Sequence, residues 1–196
     1  RVVDYARMDE RGLSLRNAVL SKCIMQCSRN EIEAAIINIL VHISRYVEEK
    51  NNDMWYYIFQ CLMKAEILEA RFHLNPKQIE NIFLSVKEQY MGISYYWLQM
   101  GLLFQKKEDY ISAYNYLEKS SSIRPNSYKI QHAMARNFLR HANRTKDVAE
   151  ARQLFAQGEE KMKELIDSKD YGKEKAKPYS VTCYITEKIK FMTKYD

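Results

Sequence analysis

The chain has 196 residues, of which 46% are hydrophobic and 29% charged, and its formal net charge is +6. This balance excludes an intrinsically disordered chain. Five glycines and three prolines provide few positions for the turns that would connect short strands. No apolar run approaches the roughly 18 residues of a membrane span, and four cysteines are too few for a disulfide framework. We expect a cytoplasmic protein of long helices, with room for one domain or two small ones.

Helical periodicity begins after Asn30, a candidate N-cap, and continues to Val47 with apolar residues three and four positions apart. After a polar break that ends in Asp53, a candidate cap, a second helix is predicted from Met54 to about His73, with apolar side chains on two faces. For the first dozen residues the sequence leaves a short strand, a linker and the tail of an upstream helix open.

Pro76, with Asn75 as its cap, begins the next predicted helix, and Gly92 ends it. Further helices are predicted over residues 95–107, 110–123, 128–142 and 148–167, and from about Tyr179 to Tyr195. Gly101 and Gly158 lie inside these helices, where glycine costs about 1 kcal/mol relative to alanine. Close packing between two helices is the usual reason to keep a glycine there.

The segment from Ser94 to Ser127 has the pattern of a helical hairpin. Gly101 and Ala113 supply small surfaces where two helices would touch, and Pro125 prevents the second helix from continuing. The segment resembles the tetratricopeptide repeat, in which Trp, Leu-Gly, Tyr, Ala, Phe and Pro recur at fixed positions over about 34 residues. The matching residues are Trp97, Met100, Gly101, Phe104, Ala113, Leu117 and Pro125.

A weaker copy of the pattern follows, with about four extra residues in its turn. Its packing positions hold Met134, Ala135, Phe138, Ala151, Phe155 and Gly158. The resemblance covers about residues 94–165 and implies an all-α, right-handed superhelix of antiparallel hairpins. We divide the chain into a hairpin region of open repeat class (1–93), tetratricopeptide-like repeats (94–168), and a lysine-rich loop with a C-terminal capping helix (169–196).

In this family the first helix of each hairpin lines a concave groove that takes up a partner segment. Here one such helix carries an apolar strip and the next a basic stripe, at spacings of three and four residues. Such a groove suits a partner with hydrophobic anchors and carboxylates, although the stripe could also be a solvated helix face. The candidate groove residues are Tyr95, Leu98, Leu102, Gln105, Lys129, His132, Arg136 and Arg140. Leu98 and Leu102 replace the polar residues of the family's carboxylate clamp, so that clamp is not expected.

Sequence motifs for catalysis are missing: there is no P-loop, dinucleotide-binding, zinc-protease or nucleophile-elbow pattern. Cys23 and Cys27 are spaced one helical turn apart, but no second Cys or His pair completes a metal site. We predict no catalytic residue, no metal and no cofactor, and interpret the cysteines as reduced and mostly buried.

These features predict a protein-interaction module, acting as a scaffold or sensor. Arrays of this family often form the C-terminal part of multidomain proteins, including signalling NTPases of bacterial immunity, and a start at Arg1 suggests such a fragment. Two alternatives stay open: nucleic-acid binding, and self-association or intramolecular docking. Nucleic-acid binding would use lysines that alternate with acids near the C-terminus: Lys169, Lys173, Lys175, Lys177, Lys188, Lys190 and Lys194.

Overall fold

A computed structural model describes residues 6–9, 12–15, 29–48, 54–167 and 177–195. Two short strands, β1 (Ala6–Asp9) and β2 (Gly12–Leu15), pair antiparallel with Ala6 opposite Leu15. The rest of the described chain is helical, as predicted. Its α-helices are α1 (Arg29–Ile43), α2 (Met54–Leu62), α3 (Ala65–Phe72), α4 (Pro76–Ser85), α5 (Lys87–Tyr90), α6 (Ser94–Lys106), α7 (Tyr110–Ile123), α8 (Tyr128–Arg144), α9 (Val148–Asp167) and α10 (Lys177–Tyr195).

The strand β1 resolves the ambiguity that the sequence leaves for the first residues, because Ala6–Asp9 forms a strand. The helix α1 begins at Arg29, so Asn30 is its second residue and the predicted cap is wrong by two positions. The candidate cap Asp53 lies outside the described residues. Within the described ranges, no helix combines the length and the apolarity needed to cross a bilayer.

The single helix predicted from Met54 to about His73 is wrong, because two helices occupy this segment. The helix is interrupted at Lys64, which has an extended backbone (φ −86°, ψ 114°). Phe59 and Leu68 are nine residues apart, so in one straight helix they would point in opposite directions. With the break, both side chains are fully buried in the same core.

The start of α4 follows the sequence prediction in detail. Asn75 Oδ1 accepts a hydrogen bond from the Gln78 backbone N–H at 3.0 Å, and Gln78 Oε1 accepts one from the Asn75 backbone N–H at 3.1 Å. This reciprocal arrangement is a capping box, and Pro76 occupies the first helical position.

The helices α6 to α9 form two consecutive antiparallel hairpins, and their bounds agree with the prediction to within two residues. A Cβ on Gly101 would lie 2.6 Å from Leu117 Cγ and 3.2 Å from the Ala113 backbone oxygen. A Cβ on Gly158 would lie 2.9 Å from Leu139 Cγ and 3.0 Å from the Leu139 backbone nitrogen. Both glycines therefore lie where the two helices of a hairpin come into close contact.

The other predicted packing residues lie mostly inside the hairpins. Trp97, Ala113, Leu117, Ala135, Ala151 and Phe155 are buried, Phe104 and Phe138 are half-buried, and Pro125 is exposed. The exposed proline lies in the turn between α7 and α8, and its carbonyl accepts a hydrogen bond from Gln131 Nε2 of α8 at 2.7 Å.

The C-terminal helix α10 runs beside both helices of the second hairpin. It is parallel to α8, since Ser180 contacts His132 near the start of both helices and Tyr195 contacts the Ala142 carbonyl near their ends. It is antiparallel to α9, against which the Phe191 ring stacks on Phe155 with ring centroids 4.2 Å apart. This position brings α10 onto the α8 face that carries the basic stripe.

Candidate functional site

The basic stripe predicted on α8 is covered unequally by α10. Lys129, at the start of α8, is exposed, Arg136 and Arg140 are half-buried, and His132 is buried. The last three contact side chains of α10. Most of the stripe is therefore engaged within the chain. Lys129 remains exposed at the start of α8, and the Arg140 side chain is partly accessible towards its end.

His132 lies beside Ser180, a pair that the sequence did not predict. His132 Nδ1 is 2.8 Å from Ser180 Oγ, and the Tyr128 hydroxyl contacts the same oxygen. The Tyr179 ring packs against the imidazole at a centroid distance of 5.0 Å. These contacts fix the N-terminal end of α10 on α8.

The imidazole of His132 is uncharged near neutral pH. Burial, together with the nearby charges of Arg136 and Arg140, lowers its pKa to about 4. A serine next to a histidine could serve as nucleophile and base, but Ser180 is fully buried. Among the described residues no group forms a hydrogen bond with His132 Nε2, so the acid of a catalytic triad has no counterpart here. The arrangement holds two helices together and gives a substrate no access.

Arg136 links three helices through its guanidinium group. Its Nη2 donates to Gln105 Oε1 on α6 at 3.0 Å, and its Nη1 donates to the Tyr179 hydroxyl on α10 at 3.3 Å. Gln105 Nε2 in turn donates to the Ala133 carbonyl of α8 at 2.7 Å. Two residues assigned to the groove from sequence, Gln105 and Arg136, are thus brought together in one hydrogen-bond network.

The most buried acid of this region is Glu187, for which the sequence predicted no role. Its side chain accepts hydrogen bonds from Asn143 Nδ2 at 2.9 Å and Lys190 Nζ at 3.1 Å, and Arg140 Nε lies 3.7 Å away. Glu187 is only 4% exposed. Its burial could have been predicted from its spacing relative to Ser180 and Phe191, which places all three residues on one helix face.

A cleft of about 560 Å³ opens where α6, α8 and α10 end. Its cations outnumber its carboxylates by five to two. The cations are Lys106, Arg140, Arg144, Lys190 and Lys194, and the carboxylates are Glu108 and Glu187. Helix C-termini attract cations, and Lys194 Nζ donates to the Asn143 and Thr145 carbonyls at 2.8 and 2.9 Å.

Two cations at the rim of the cleft form exposed ion pairs. Arg144 contacts Glu108, and Lys106 contacts Glu69. All four of these side chains are about half exposed or more, and exposed pairs of this kind contribute at most about 1 kcal/mol. An incoming anion could therefore compete for Arg144 and Lys106 at low cost.

The apolar strip predicted on α6 is largely covered. Tyr95 donates to the Gln60 carbonyl at 3.3 Å, and its ring lies 5.9 Å from that of Phe59, so α2 packs on it. Leu98 is also buried, while Leu102 is half-buried. The cleft is therefore separate from most of the apolar strip.

No group of three His, Cys, Asp or Glu side chains in the described ranges is placed to hold a metal ion. Cys23 and Cys27 lie outside those ranges. Cys61 and Cys183 are free, half-buried thiols, and burial raises the pKa of Cys183.

The lysines of the nucleic-acid alternative are only partly described. Lys169, Lys173 and Lys175 lie outside the described residues, and Lys177 begins α10. Lys188 Nζ lies 3.2 Å from Glu159 Oε1. Together with the contacts of Lys190 and Lys194 given above, this shows that the three described lysine side chains have partners within the chain.

No family model, no curated protein and no solved structure matches this chain. The residues around the cleft and their contacts are therefore the basis for a functional proposal.

Proposed function

We propose that the chain is a protein-interaction module with tetratricopeptide-like hairpins, and that its cleft receives an acidic segment of a partner protein. The observation that carries this proposal is the excess of cations around an open cleft of about 560 Å³. Arginine grips carboxylates through paired hydrogen bonds, which gives an acidic segment a preferred geometry as well as attraction.

The repeat assignment is supported by the contacts inside the two hairpins. In the first hairpin, Gly101 of the first helix meets Leu117 of the second. In the second hairpin the roles are exchanged, since Gly158 of the second helix meets Leu139 of the first. Both contacts bring the helices of one hairpin close together, as stacking repeats require.

The position of α10 narrows the binding surface that the sequence predicts. Ser180 and Tyr179 already engage His132 and Arg136. A partner segment would therefore meet the end of the stripe and the rim of the cleft, where Arg144 is exposed. The expected partner has at least two carboxylates, because cations line the cleft on several sides.

A binding experiment with designed peptides tests the proposal. The probe is a labelled nonapeptide of Asp, Glu and Leu, and its control has Asn and Gln in place of the acids. Fluorescence anisotropy at low salt should show binding of the acidic peptide only, and salt should weaken it. Lys106→Glu combined with Arg144→Glu should raise the Kd at least tenfold.

The matched control is Lys77→Glu combined with Arg152→Glu. Both residues are exposed and neither lines the cleft, so the net charge changes equally at a different place. If this control weakens binding as much as the cleft variant, net charge is responsible and the cleft is not the site.

Nucleic-acid binding is the second candidate, and the ion pairs of Lys188 and Lys190 count against it. Labelled single-stranded and duplex oligonucleotides can be titrated under the same low-salt conditions. Tighter binding of an oligonucleotide than of the acidic peptide would favour the nucleic-acid function.

A further inference from the structure

The outer side of α10 presents an exposed surface without a charged side chain, which we call the uncharged face. Its residues are Thr182, Ile185, Thr186, Ile189, Met192 and Thr193. Ile185, Ile189 and Met192 are 49%, 60% and 48% exposed. The face extends over three helical turns, about 16 Å, in a chain with 29% charged residues.

The threonines make this face more apolar than their hydroxyls suggest. Thr182, Thr186 and Thr193 each donate to the backbone carbonyl four residues earlier, at 2.8 to 2.9 Å. With these hydrogen bonds made inside the helix, the hydroxyls do not need an outside partner. A helix packed on this face would not have to provide one.

The order of helices indicates what belongs on the uncharged face. The first helix of each hairpin, α6 or α8, is covered by the helix that follows it. The helix α10 continues this series, because it lies parallel to α8 and against α9. In the described part of the chain no helix follows to cover its outer side, so the uncharged face is the place for one more antiparallel helix.

The charges beside the face indicate the character of that helix. Lys188 and Lys190 lie on either side of it. The glutamates that they contact, Glu159 and Glu187, each contact a second cation as well, Lys163 and Arg140, so positive charge exceeds negative charge on both sides of the face. Two identical faces would bring lysines together, which disfavours a second copy of the chain. We infer that the uncharged face binds an amphipathic helix of a partner protein, whose apolar stripe is flanked by Asp or Glu.

This inference does not rest on the proposed function of the cleft. None of the six residues of the uncharged face lines the cleft. The variant Lys106→Glu with Arg144→Glu should therefore leave helix binding unchanged, even where it abolishes binding of the acidic nonapeptide.

The test uses two labelled helical peptides of 18 residues, each with a leucine stripe at helical spacing. One has glutamates beside the stripe and the other has lysines. In fluorescence anisotropy, the glutamate peptide should bind at least tenfold more tightly than the lysine peptide. Ile189→Asp should weaken this binding at least tenfold, because it places a charge at the centre of the contact.

The control is Ile111→Asp, which adds the same charge at an isoleucine of α7 that is 68% exposed. Circular dichroism checks that both variants keep their helices, as expected for exposed positions. Equal binding of the glutamate peptide to both variants would overturn the inference. So would a dimer in sedimentation velocity that Ile189→Asp dissociates, because a second copy would then occupy the face.

Discussion

At the scale of single residues, most ionisable groups buried between α8 and α10 either have partners of opposite charge or are uncharged. Glu187 is surrounded by donors from Asn143, Arg140 and Lys190, so its negative charge has partners on several sides. His132 has positive neighbours instead, and it is buried in its neutral form. A buried group without such compensation would cost several kcal/mol.

The lowered pKa of His132 predicts that acid destabilises the fold through this residue. The pKa is about 4 in the folded protein, against a reference value of 6.5. Between these values the unfolded chain binds a proton that the folded chain excludes, so the free energy of unfolding falls as the pH drops from 6.5 towards 4. At pH 4.5 the loss should be about 2 kcal/mol relative to pH 7.

Urea unfolding at both pH values measures this loss, and His132→Asn is the comparison because asparagine does not titrate. The variant should be less stable at pH 7, since it loses the ring contact with Tyr179. It should nevertheless lose about 2 kcal/mol less than the wild type on acidification. An equal loss in both proteins would mean that the titrating groups lie elsewhere.

Single residues differ in how far the sequence could predict their roles. Gly101 was recognisable because a glycine within a helix conflicts with helix propensity, and this local conflict needs an explanation. His132 and Arg136 were recognisable as one helix face. Ser180 and Glu187 were not, because their roles arise only when α10 docks on α8, and no local pattern specifies that docking.

At the scale of elements, the sequence could predict those helices whose ends carry a capping residue, a glycine or a proline. The turns on either side of α7 contain Asp109 and Pro125, and the predicted bounds of this helix match the structure. The break at Lys64 has neither glycine nor proline, and apolar residues continue on both sides of it. The division into α2 and α3 follows from the burial of Phe59 and Leu68 in one core, which is a tertiary effect.

The close contact between α6 and α7 predicts that a single methyl group at Gly101 destabilises the protein. In Gly101→Ala the new Cβ would lie 2.6 Å from Leu117 Cγ, and Leu117 is fully buried, so it has little room to move. Overpacking lowers the free energy of unfolding by about 1–3 kcal/mol, and the better helix propensity of alanine offsets about 1 kcal/mol of this loss. We expect a net loss of about 1 kcal/mol in chemical denaturation.

Gly92→Ala is the matched control, since, apart from its chain neighbours, no atom of the described residues lies within 4 Å of the position of its Cβ. This variant should stay within about 0.5 kcal/mol of the wild type. In a double-mutant cycle, Gly101→Ala and Leu117→Ala should cost less together than the sum of both, because a smaller residue 117 makes room. Additive losses would show that the contact with Leu117 is not the cause.

At the scale of the whole molecule, α8 connects two hydrophobic cores. Ile130, Ala133 and Met134 belong to a core shared with the helices before it. Leu139 and Ala142 belong to a second core, formed with α9 and α10. Such a division between two faces of one helix could not be predicted from its apolar periodicity alone, because both cores follow helical spacing.

A shared helix predicts that the two cores unfold together. Trp55 and Trp97 are the two tryptophans of the chain, and both pack in the first core. Tryptophan fluorescence therefore reports on that core, whereas far-ultraviolet circular dichroism reports on all helices.

Met162 is fully buried in the second core, so Met162→Ala should lower the free energy of unfolding by about 2–5 kcal/mol. In urea, this variant should shift the fluorescence and circular dichroism midpoints equally, because loss of the second core removes the packing of α8. If only circular dichroism shifts and becomes biphasic, the cores are independent and α8 does not couple them.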